Sequence, residues 1–429
     1  MSRRVSDLRS RSGRAQRGTV YLLVLGVSAI ITITGLSALA AARVKSRMAS
    51  RARDWAESGV LAVTAAEFAA HSLATDGSWR KVRGSGTAYP VGAIGRGAAS
   101  FIVDDADGSL TDDYFDTVRV LGVGTVGEAT RSYSFEAVPA SKTALEVFRC
   151  AVHSAASLIS NGTVTVDGGP LSSNGTITVG LLGTLRGNVE AAAFTNLGTH
   201  KGTAEVPWPA KQMPTAGVFT LYSDMATVIP WGVITGGAIQ NVLFATPDGS
   251  GNGVFSITVP SGSRLLIRDC RLRATLVVSL GAGSDLVLED EVLWEPPRPD
   301  FPILIVKGTG ANDIDLNCSG AVLSEVVENL NFNPAGVPYA GGIDADKLDN
   351  YPNELRGVIH ILGVGASTVV RGSTRVVGAL ISDGPVTVDT RATLSSDETL
   401  LKFPLLGYTD ASPGTMQPVA GTWTWDEAP

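Results

Sequence analysis

Carboxylates in the second half of the sequence are the side chains whose spacing best suits acid–base chemistry. Asp313 and Asp315 are spaced i, i+2 on a predicted strand and would therefore point to the same face. A second acidic group lies upstream: Asp285, Glu289, Asp290 and Glu291. Hydrolysis of a glycosidic bond uses two carboxylates roughly 5–10 Å apart. An enzyme that acts on carbohydrate is therefore one alternative, but solvated acids explain both groups more simply, and we expect no catalytic residues.

Metal and thiol chemistry have little support in the sequence. The segment 104–108 resembles the start of a calcium loop, but it lacks the distal bidentate glutamate. Cys150, Cys270 and Cys318 follow no zinc or redox spacing, so we expect buried thiols, with a Cys270–Cys318 disulfide as the alternative. The histidines are scattered without ligand spacing: His71, His153, His200 and His360. We therefore expect no metal site.

A glycine motif at residues 122–127 matches the Gly-x-Gly-x-x-Gly pattern of dinucleotide-binding loops. In such loops the motif follows a strand and opens a helix. Here a polar strand follows, so we interpret the glycines as a hairpin turn. Because no other phosphate-binding motif occurs in a suitable setting, the sequence predicts no cofactor.

The overall composition is that of a folded protein with many short strands. The 429 residues are 44% hydrophobic and 17% charged, and they include 49 glycines. Glycine supplies the positive-φ conformations that tight turns need. The net charge is −7, although the first 18 residues hold six arginines against one aspartate. The rest of the chain is therefore distinctly acidic, and we expect no nucleic-acid partner.

Residues 19–42 form an uncharged stretch that predicts a transmembrane helix and hence a lipid-bilayer partner. As a helix, its 24 residues would span about 36 Å, enough to cross a hydrocarbon core of about 30 Å. Both flanks are basic, so charge alone does not set the orientation. Because long domains translocate largely regardless of charge, we expect the N-terminus in the cytoplasm and the body outside a bacterial cytoplasmic (inner) membrane. A secretory signal peptide cleaved near residue 42 is the alternative.

Three features of the N-terminal third occur together. Arg17-Gly18 directly precedes the apolar stretch, an alanine-rich amphipathic segment with Ala-Glu-Ser-Gly at residues 56–59 continues it, and residues 99–139 predict a small β-meander. This arrangement resembles the N-terminal module of type IV pilin-like proteins, in particular PilX-type minor pilins and the GspK-type minor pseudopilin of type II secretion. The resemblance implies cleavage by a prepilin peptidase between Gly18 and Thr19, with pilin-like subunits as further partners.

One position departs from that family. Major pilins carry a glutamate at the fifth mature position, where this sequence has Leu23. Minor subunits of the two kinds named above often lack the glutamate as well. The resemblance therefore implies a minor, tip or non-assembling subunit.

The remainder of the chain predicts short β-strands. Residues 160–166 recur with little change as residues 173–179, and each copy joins Asn-Gly to alternating Thr and Val or Ile. Asn-Gly favours a tight turn and the alternation favours a half-buried strand. Short strands between glycine or polar corners are typical of a parallel β-helix, in which each coil stacks on the last around an apolar core. We predict a right-handed parallel β-helix of about ten coils, with a β-sandwich as the alternative.

The predicted fold is thus mainly β with a long N-terminal α-helix. The predicted divisions are a basic cytoplasmic leader (1–18), a transmembrane helix (19–42), an amphipathic stalk helix (43–75), a small β-rich pilin-like domain (76–145), a β-helix-like body (146–403) and a C-terminal cap or extended tail (404–429). We expect a membrane-anchored structural or interaction protein of a pilus or secretion assembly, which displays its body at the cell surface. A polysaccharide or other surface ligand is a further expected partner. The alternative is an anchored carbohydrate-active enzyme or adhesin.

Overall fold

The computed structural model describes residues 12–110, 116–140, 144–246, 251–308, 312–363, 365–409 and 414–426. Within them the α-helices are α1 (Ser12–Thr75), α2 (Trp79–Val82), α3 (Gly217–Met225), α4 (Glu325–Glu328) and α5 (Thr399–Lys402). Short 3₁₀ helices occupy Glu146–Arg149, Trp231–Val233 and Thr235–Gly237. The mainly β fold with a long N-terminal helix is confirmed.

The strands fall into four sets along the chain. Those before the solenoid are β1 (Ala88–Ile94), β2 (Gly97–Asp104), β3 (Val118–Val126) and β4 (Ala129–Pro139). The first solenoid strands are β5 (Val152–Ser154), β6 (Leu158–Ser160), β7 (Thr163–Asp167), β8 (Leu171–Val179), β9 (Thr184–Arg186), β10 (Val189–Asn196), β11 (Thr199–Lys201) and β12 (Ala204–Glu205). The next are β13 (Thr227–Ile229), β14 (Ala238–Ala245), β15 (Val254–Val259), β16 (Arg264–Arg273), β17 (Thr275–Leu280), β18 (Asp285–Glu295), β19 (Leu304–Lys307) and β20 (Asp313–Cys318). The last are β21 (Leu323–Ser324), β22 (Asn350–Tyr351), β23 (Glu354–Leu362), β24 (Ser367–Val370), β25 (Ser373–Ser382), β26 (Val386–Val388), β27 (Arg391–Ser395), β28 (Met416–Pro418) and β29 (Thr424–Asp426).

The N-terminal unit packs the second half of α1 against an antiparallel sheet. The sheet runs β1-β2-β3-β4, and both β28 and β29 add to β4. Alternation in β3 turns Val118 and Val120 towards the helix, where small alanines such as Ala66 and Ala69 face them. The sequence predicted a cap or extended tail after residue 404, but the structure places two strands of that segment in the N-terminal sheet.

The body is a parallel solenoid. Twenty-one strands join through parallel pairing of each strand with its counterpart one coil away. Inward Val, Ile and Leu side chains form one continuous core, as the period-2 pattern of these strands predicts. The parallel β-helix is confirmed in place of the β-sandwich alternative.

The coils do not stack in chain order, which corrects the expectation that each coil lies on the one before it. Strand β25 pairs with β5, so that Leu380 lies opposite Val152, and β26 and β27 pair with β6 and β7. The first and last coils are therefore neighbours. Among the described strands, β13 pairs with β15 and β14 pairs with β16, and neither has a partner on its other side, so they form the far end of the stack. The chain first winds from β5 to one end of the stack at β12. It then crosses to the far end at β13 and winds back until β25–β27 meet β5–β7.

Helix α3 packs on the outer face of the coils that contain β17 and β19. Its Val218, Leu221 and Tyr222 belong to a second apolar cluster, together with Val277 of β17 and Ile305 of β19. These strand residues face outwards from the solenoid core and would otherwise meet water. The helix therefore covers an apolar outer face along the segment that carries the chain to the far end.

The two Asn-Gly pairs serve coil stacking, and only the first lies at a corner between strands: residues 161–162 join β6 to β7. Asn174 and Gly175 lie inside β8. A Cβ on Gly175 would come within 1.9 Å of the carbonyl oxygen of Ala156, and one on Gly162 within 1.7 Å of that of Thr390. Both glycines are needed because the backbone of the adjacent coil approaches closely.

Candidate membrane anchor and assembly module

The first half of α1 is an exposed apolar surface. Residues 19–53 are all exposed, and the uncharged stretch 19–42 is the part of the described chain that is long and apolar enough to cross a membrane. Its hydroxyl groups bond back to the helix, as Thr32 Oγ1 does to Ser28 O (2.8 Å) and Ser37 Oγ to Ile33 O (2.7 Å). The hydroxyl groups of Thr32, Thr34 and Ser37 are therefore satisfied without water. Large exposed apolar surfaces of this kind mark membrane or partner contacts.

The predicted processing position lies within this helix. Helix α1 begins at Ser12, so Gly18 and Thr19 both have helical neighbours. Thr19 is exposed, as is Leu23, the residue at the position where major pilins carry glutamate. Gly26 and Gly35 have no atoms of the described chain within 4 Å of where a Cβ would be, so they are open for close contact with a second helix. Cleavage between Gly18 and Thr19 stays a prediction.

Close packing of α1 on the sheet begins at Ser58. A Cβ on Gly124 would lie 2.2 Å from the carbonyl oxygen of Ser58, and one on Gly122 would lie 2.3 Å from that of Ala62. Both glycines belong to β3, so the interpretation of residues 122–127 as a hairpin turn is wrong for them. Only Gly127, with φ of +57°, lies in the turn before β4. Glycine is needed at positions 122 and 124 because the backbones of α1 and β3 lie too close for a side chain between them.

Ion pairs from Arg96 also join α1 to the sheet, close to the contact between Ser58 and Gly124. Arg96 follows Gly95, whose φ of +61° forms the turn between β1 and β2. Its guanidinium donates to Asp54 Oδ1 (2.9 Å) and Glu57 Oε2 (2.5 Å) on the helix. The hydrogen bond from Arg96 lowers the pKa of Glu57 below its usual range. The Ala-Glu-Ser-Gly segment thus joins the helix to the sheet through both Glu57 and the buried Ser58.

The C-terminal strand completes the module. The guanidinium of Arg131 in β4 lies over the rings of Trp55 (4.9 Å) and Trp425 (3.8 Å). Arg119 donates to Asp426 (2.7 Å) on the same strand. Residues from α1, β4 and the chain end therefore stack together where the helix leaves the sheet.

The predicted acidic groups on the solenoid lie beside arginines of neighbouring coils. Glu289 accepts ion pairs from Arg264 (3.5 Å) and Arg268 (3.7 Å), and Arg268 also reaches Asp290 (3.6 Å). Asp315 pairs with Arg371 at 3.7 Å. The parallel register puts these charges on adjacent rungs. Glu289, Asp290 and Asp315 thus pair with opposite charges on the solenoid surface. Glu291 instead accepts from the Ser319 hydroxyl (2.6 Å), and Asp285 accepts from the backbone N–H of Asp313 (3.4 Å).

A cleft of about 540 Å³ lies elsewhere on the solenoid and contains Glu295 and Asp397. Arg271 donates to Glu295 Oε2 (2.9 Å). Asp397 accepts from the backbone N–H and the hydroxyl of Thr399 at the start of α5 (2.9 and 2.7 Å). Both carboxylates thus have structural partners, and the acids singled out from sequence do not line this cleft.

Cysteines and two histidines lie in dry surroundings. Cys150, Cys270 and Cys318 are buried thiols without a disulfide, and burial raises the pKa of Cys318 to about 12. Burial also lowers the pKa of His153 to about 4 and that of His360 to about 3. These groups are held neutral in the folded protein. Neutral, enclosed groups of this kind suit packing.

The calcium-like segment brings Asp105 and Asp107 together with Asp116 of the following loop, their carboxylates within 4.8 Å of one another. The buried guanidinium of Arg80 already lies 3.9 Å from Asp105. A protein cation thus stands beside the acids, where a metal ion would otherwise balance their charge.

Comparisons with known proteins gave structural similarities but no match in sequence. No protein-family model matches the sequence, and no curated protein is similar to it in sequence. The structure is similar to that of the competence-associated pilin ComZ from Thermus thermophilus, with 11% identity over 87% of this chain and 98% of that chain and a TM-score of 0.29. It is also similar to an ice-binding DUF3494 domain from Shewanella frigidimarina (11% identity, 60% of this chain, 100% of that chain, TM-score 0.25). An ice-binding protein from an Antarctic biological consortium is similar at 11% identity, 60% of this chain, 92% of that chain and a TM-score of 0.24. TM-scores this low do not assign a function.

Proposed function

We propose that this chain is a membrane-anchored, pilin-like structural protein that displays a β-solenoid outside the cytoplasm. The observation that carries the proposal is the change along α1 from a fully exposed, uncharged stretch to a face packed on a small antiparallel sheet. A soluble protein would leave an apolar surface of that length in water, whereas a bilayer would bury it. The sheet then holds the rest of the chain at a fixed distance from the lipid.

The finer proposal is a minor subunit of a type IV pilus or type II secretion-like assembly. Leu23 cannot form the charge pair through which a fifth-position glutamate meets a neighbour's N-terminal amine, so the subunit would not build a filament by itself. Exposed glycines at Gly26 and Gly35 leave room for a helix of another subunit. The solenoid supplies a rigid, repetitive face for a surface ligand such as a polysaccharide.

An anchored carbohydrate-active enzyme is the weaker alternative. Glu289, Asp290 and Asp315 pair with arginines, and the two acids of the cleft have structural partners. This arrangement favours a structural or ligand-binding surface over an active site. We propose no catalytic residue.

The N-terminus of the membrane-extracted protein tests the assembly proposal. We expect the mature chain to begin at Thr19 when the protein is expressed with a prepilin peptidase. Gly18→Val should leave the leader in place. Gly26→Ala is the matched control because nothing lies within 4 Å of a Cβ there, and it should be processed normally. An intact Met1 in the wild-type protein would leave a plain anchor, and a terminus near residue 42 would mean secretion.

A further inference from the structure

A long loop leaves the solenoid between β20 and β23 and is fixed by the fold. Its strands β21 and β22 pair antiparallel. The buried side chain of Arg271 donates to three of its carbonyl groups, those of Phe332 (2.5 Å), Val337 (3.1 Å) and Pro338 (2.8 Å). The loop is therefore an ordered part of the surface.

Four carboxylates meet inside this loop. Oxygens of Glu325, Asp344 and Asp346 lie within 4.8 Å of one another. Asp349 joins them, because Asn333 Nδ2 donates both to Asp344 Oδ2 (3.3 Å) and to Asp349 Oδ2 (3.2 Å). Like charges at this separation repel unless a cation or protons lie among them.

The described part of the chain supplies no basic side chain to this cluster. None of the four acids takes part in an ion pair there with lysine or arginine. The adjacent Lys347 is turned away and donates to Asn329 O (2.6 Å) and Asn329 Oδ1 (3.2 Å). Within the described residues these carboxylates therefore have neutral hydrogen-bond donors but no positively charged partner.

A buried amide gives an independent indication of a ligand. Asn333 is only 6% exposed, and its Oδ1 has no hydrogen-bond partner. An unpaired buried acceptor is costly, because it has lost its hydrogen bonds to water without replacement. The amide faces the carboxylates through Nδ2, so a half-turn about its last side-chain bond would place Oδ1 among the acid oxygens. A cation there would satisfy the oxygen that now has no partner.

We propose that Asp344, Asp346, Asp349, Glu325 and Asn333 form a calcium-binding site that stabilises the loop. All five supply oxygen, which suits Ca²⁺ with its roughly 6–8 oxygen ligands. The set has no nitrogen or sulfur ligand of the kind that zinc prefers. Backbone N–H groups of Phe332 and Asp349 already donate to Glu325 and fix the orientation of its carboxylate. This site goes beyond the proposed anchoring function and does not depend on it.

Calorimetric titration of the detergent-solubilised full chain with CaCl₂, after chelator treatment, tests the site. We expect one Ca²⁺ per chain and at least about tenfold weaker binding for Asp344→Asn, because ligand charge sets the affinity. Asp313→Asn removes an exposed acid from a solenoid strand and is the matched control; it should bind as the wild type does. Mg²⁺ should bind more weakly, and equal affinity for Mg²⁺ would overturn the assignment to calcium.

Trypsin digestion gives a second readout that needs no variant. Lys347 is exposed between Asp346 and Asp349, so Ca²⁺ should slow cleavage after Lys347 in the wild-type protein. The chelator should restore cleavage. No binding heat together with cleavage unaffected by Ca²⁺ would overturn the site, as would equal Ca²⁺ affinity of the wild type and a folded Asp344→Asn variant.

Discussion

The guanidinium of Arg131 lies 3.8 Å from the centre of the Trp425 ring, which ties the last strand of the chain to the sheet behind the stalk helix. This contact places β29 in the same unit as the packed half of α1. The solenoid is thus an insertion between β4 and β28, and both of its connections to the rest of the chain enter the same small sheet. Both ends of the solenoid are therefore joined to the unit that contains α1.

Trp425→Ala should loosen the end of the stalk helix. The substitution removes the ring that stacks on Arg131, which we expect to lower the stability of the small domain by about 1–2 kcal/mol. Thermal unfolding of the solubilised full chain measures the change. Phe403→Ala, at another exposed aromatic residue, is the control and should shift the stability by less than about 0.5 kcal/mol. Equal effects of the two substitutions would contradict the stacking role.

Gly124→Ala should separate helix and sheet. The new methyl group would meet the Ser58 carbonyl oxygen at 2.2 Å, and neither backbone can move without breaking its own hydrogen bonds. We expect a loss of about 1–3 kcal/mol or more, seen as a lower unfolding temperature and faster proteolysis of the stalk. Gly35→Ala, where nothing lies within 4 Å, should change neither measurement. A wild-type melting curve for Gly124→Ala would show that the close contact is not needed.

Gly162→Ala should disrupt the seam between the first and last coils. The added Cβ would come within 1.7 Å of the Thr390 carbonyl oxygen, between the last coil and the first coil of the chain. We expect destabilisation by about 3 kcal/mol or more, because the backbones of both coils would have to separate. Gly232→Ala, at a site with open space near the far end, is the control. If urea unfolding gives the same midpoint for both variants, the seam is not a weak point of the fold.

Asp269→Asn should stabilise the protein at neutral pH. Burial, a hydrogen bond with Glu291 and nearby acids raise the pKa of Asp269 to about 6. The folded state therefore holds this proton more tightly than the unfolded state does, and its stabilisation is lost as the pH rises from about 4 to about 6. Asparagine removes that loss and also tolerates the positive φ (49°) at this position.

The comparison of unfolding temperatures at two pH values checks this prediction. The Asn variant should melt higher than the wild type at pH above 6, and the difference should shrink at pH near 4. Asp313→Asn, an exposed acid, serves as the control. A constant difference at both pH values would show that ionisation of Asp269 is not the cause.

Local patterns predicted the elements but not their long-range partners. The uncharged stretch and the alanine-rich continuation predicted one helix, and α1 does run without a break to Thr75. Alternating Thr and Val predicted strands β7 and β8 correctly. In contrast, the pairing of Leu380 with Val152 depends on contacts between distant coils, and periodicity carries no information about which coil comes next.

The glycines of β3 and the proposed calcium ligands likewise depend on contacts between distant parts of the chain, which local patterns do not predict. The Gly-x-Gly spacing at residues 122–124 suggested a turn, because turn chemistry is local, whereas the cause is a helix that packs on the strand from outside the motif. Glu325 lies far along the chain from Asp344, Asp346 and Asp349, so no single loop pattern joins them. The Asp-x-Asp spacing at residues 344–346 was the one available indication in the sequence.

Protease accessibility in spheroplasts tests the central claim most directly. In cells without a prepilin peptidase, which keep the leader and a tag at the N-terminus, the full chain should sediment with membranes. Protease added outside should digest the solenoid, while a short tagged fragment stays protected inside. This result would place residues 19–42 in the bilayer and the body beyond it. Recovery of the intact chain in the soluble cytosolic fraction, with the solenoid inaccessible to external protease, would contradict the account.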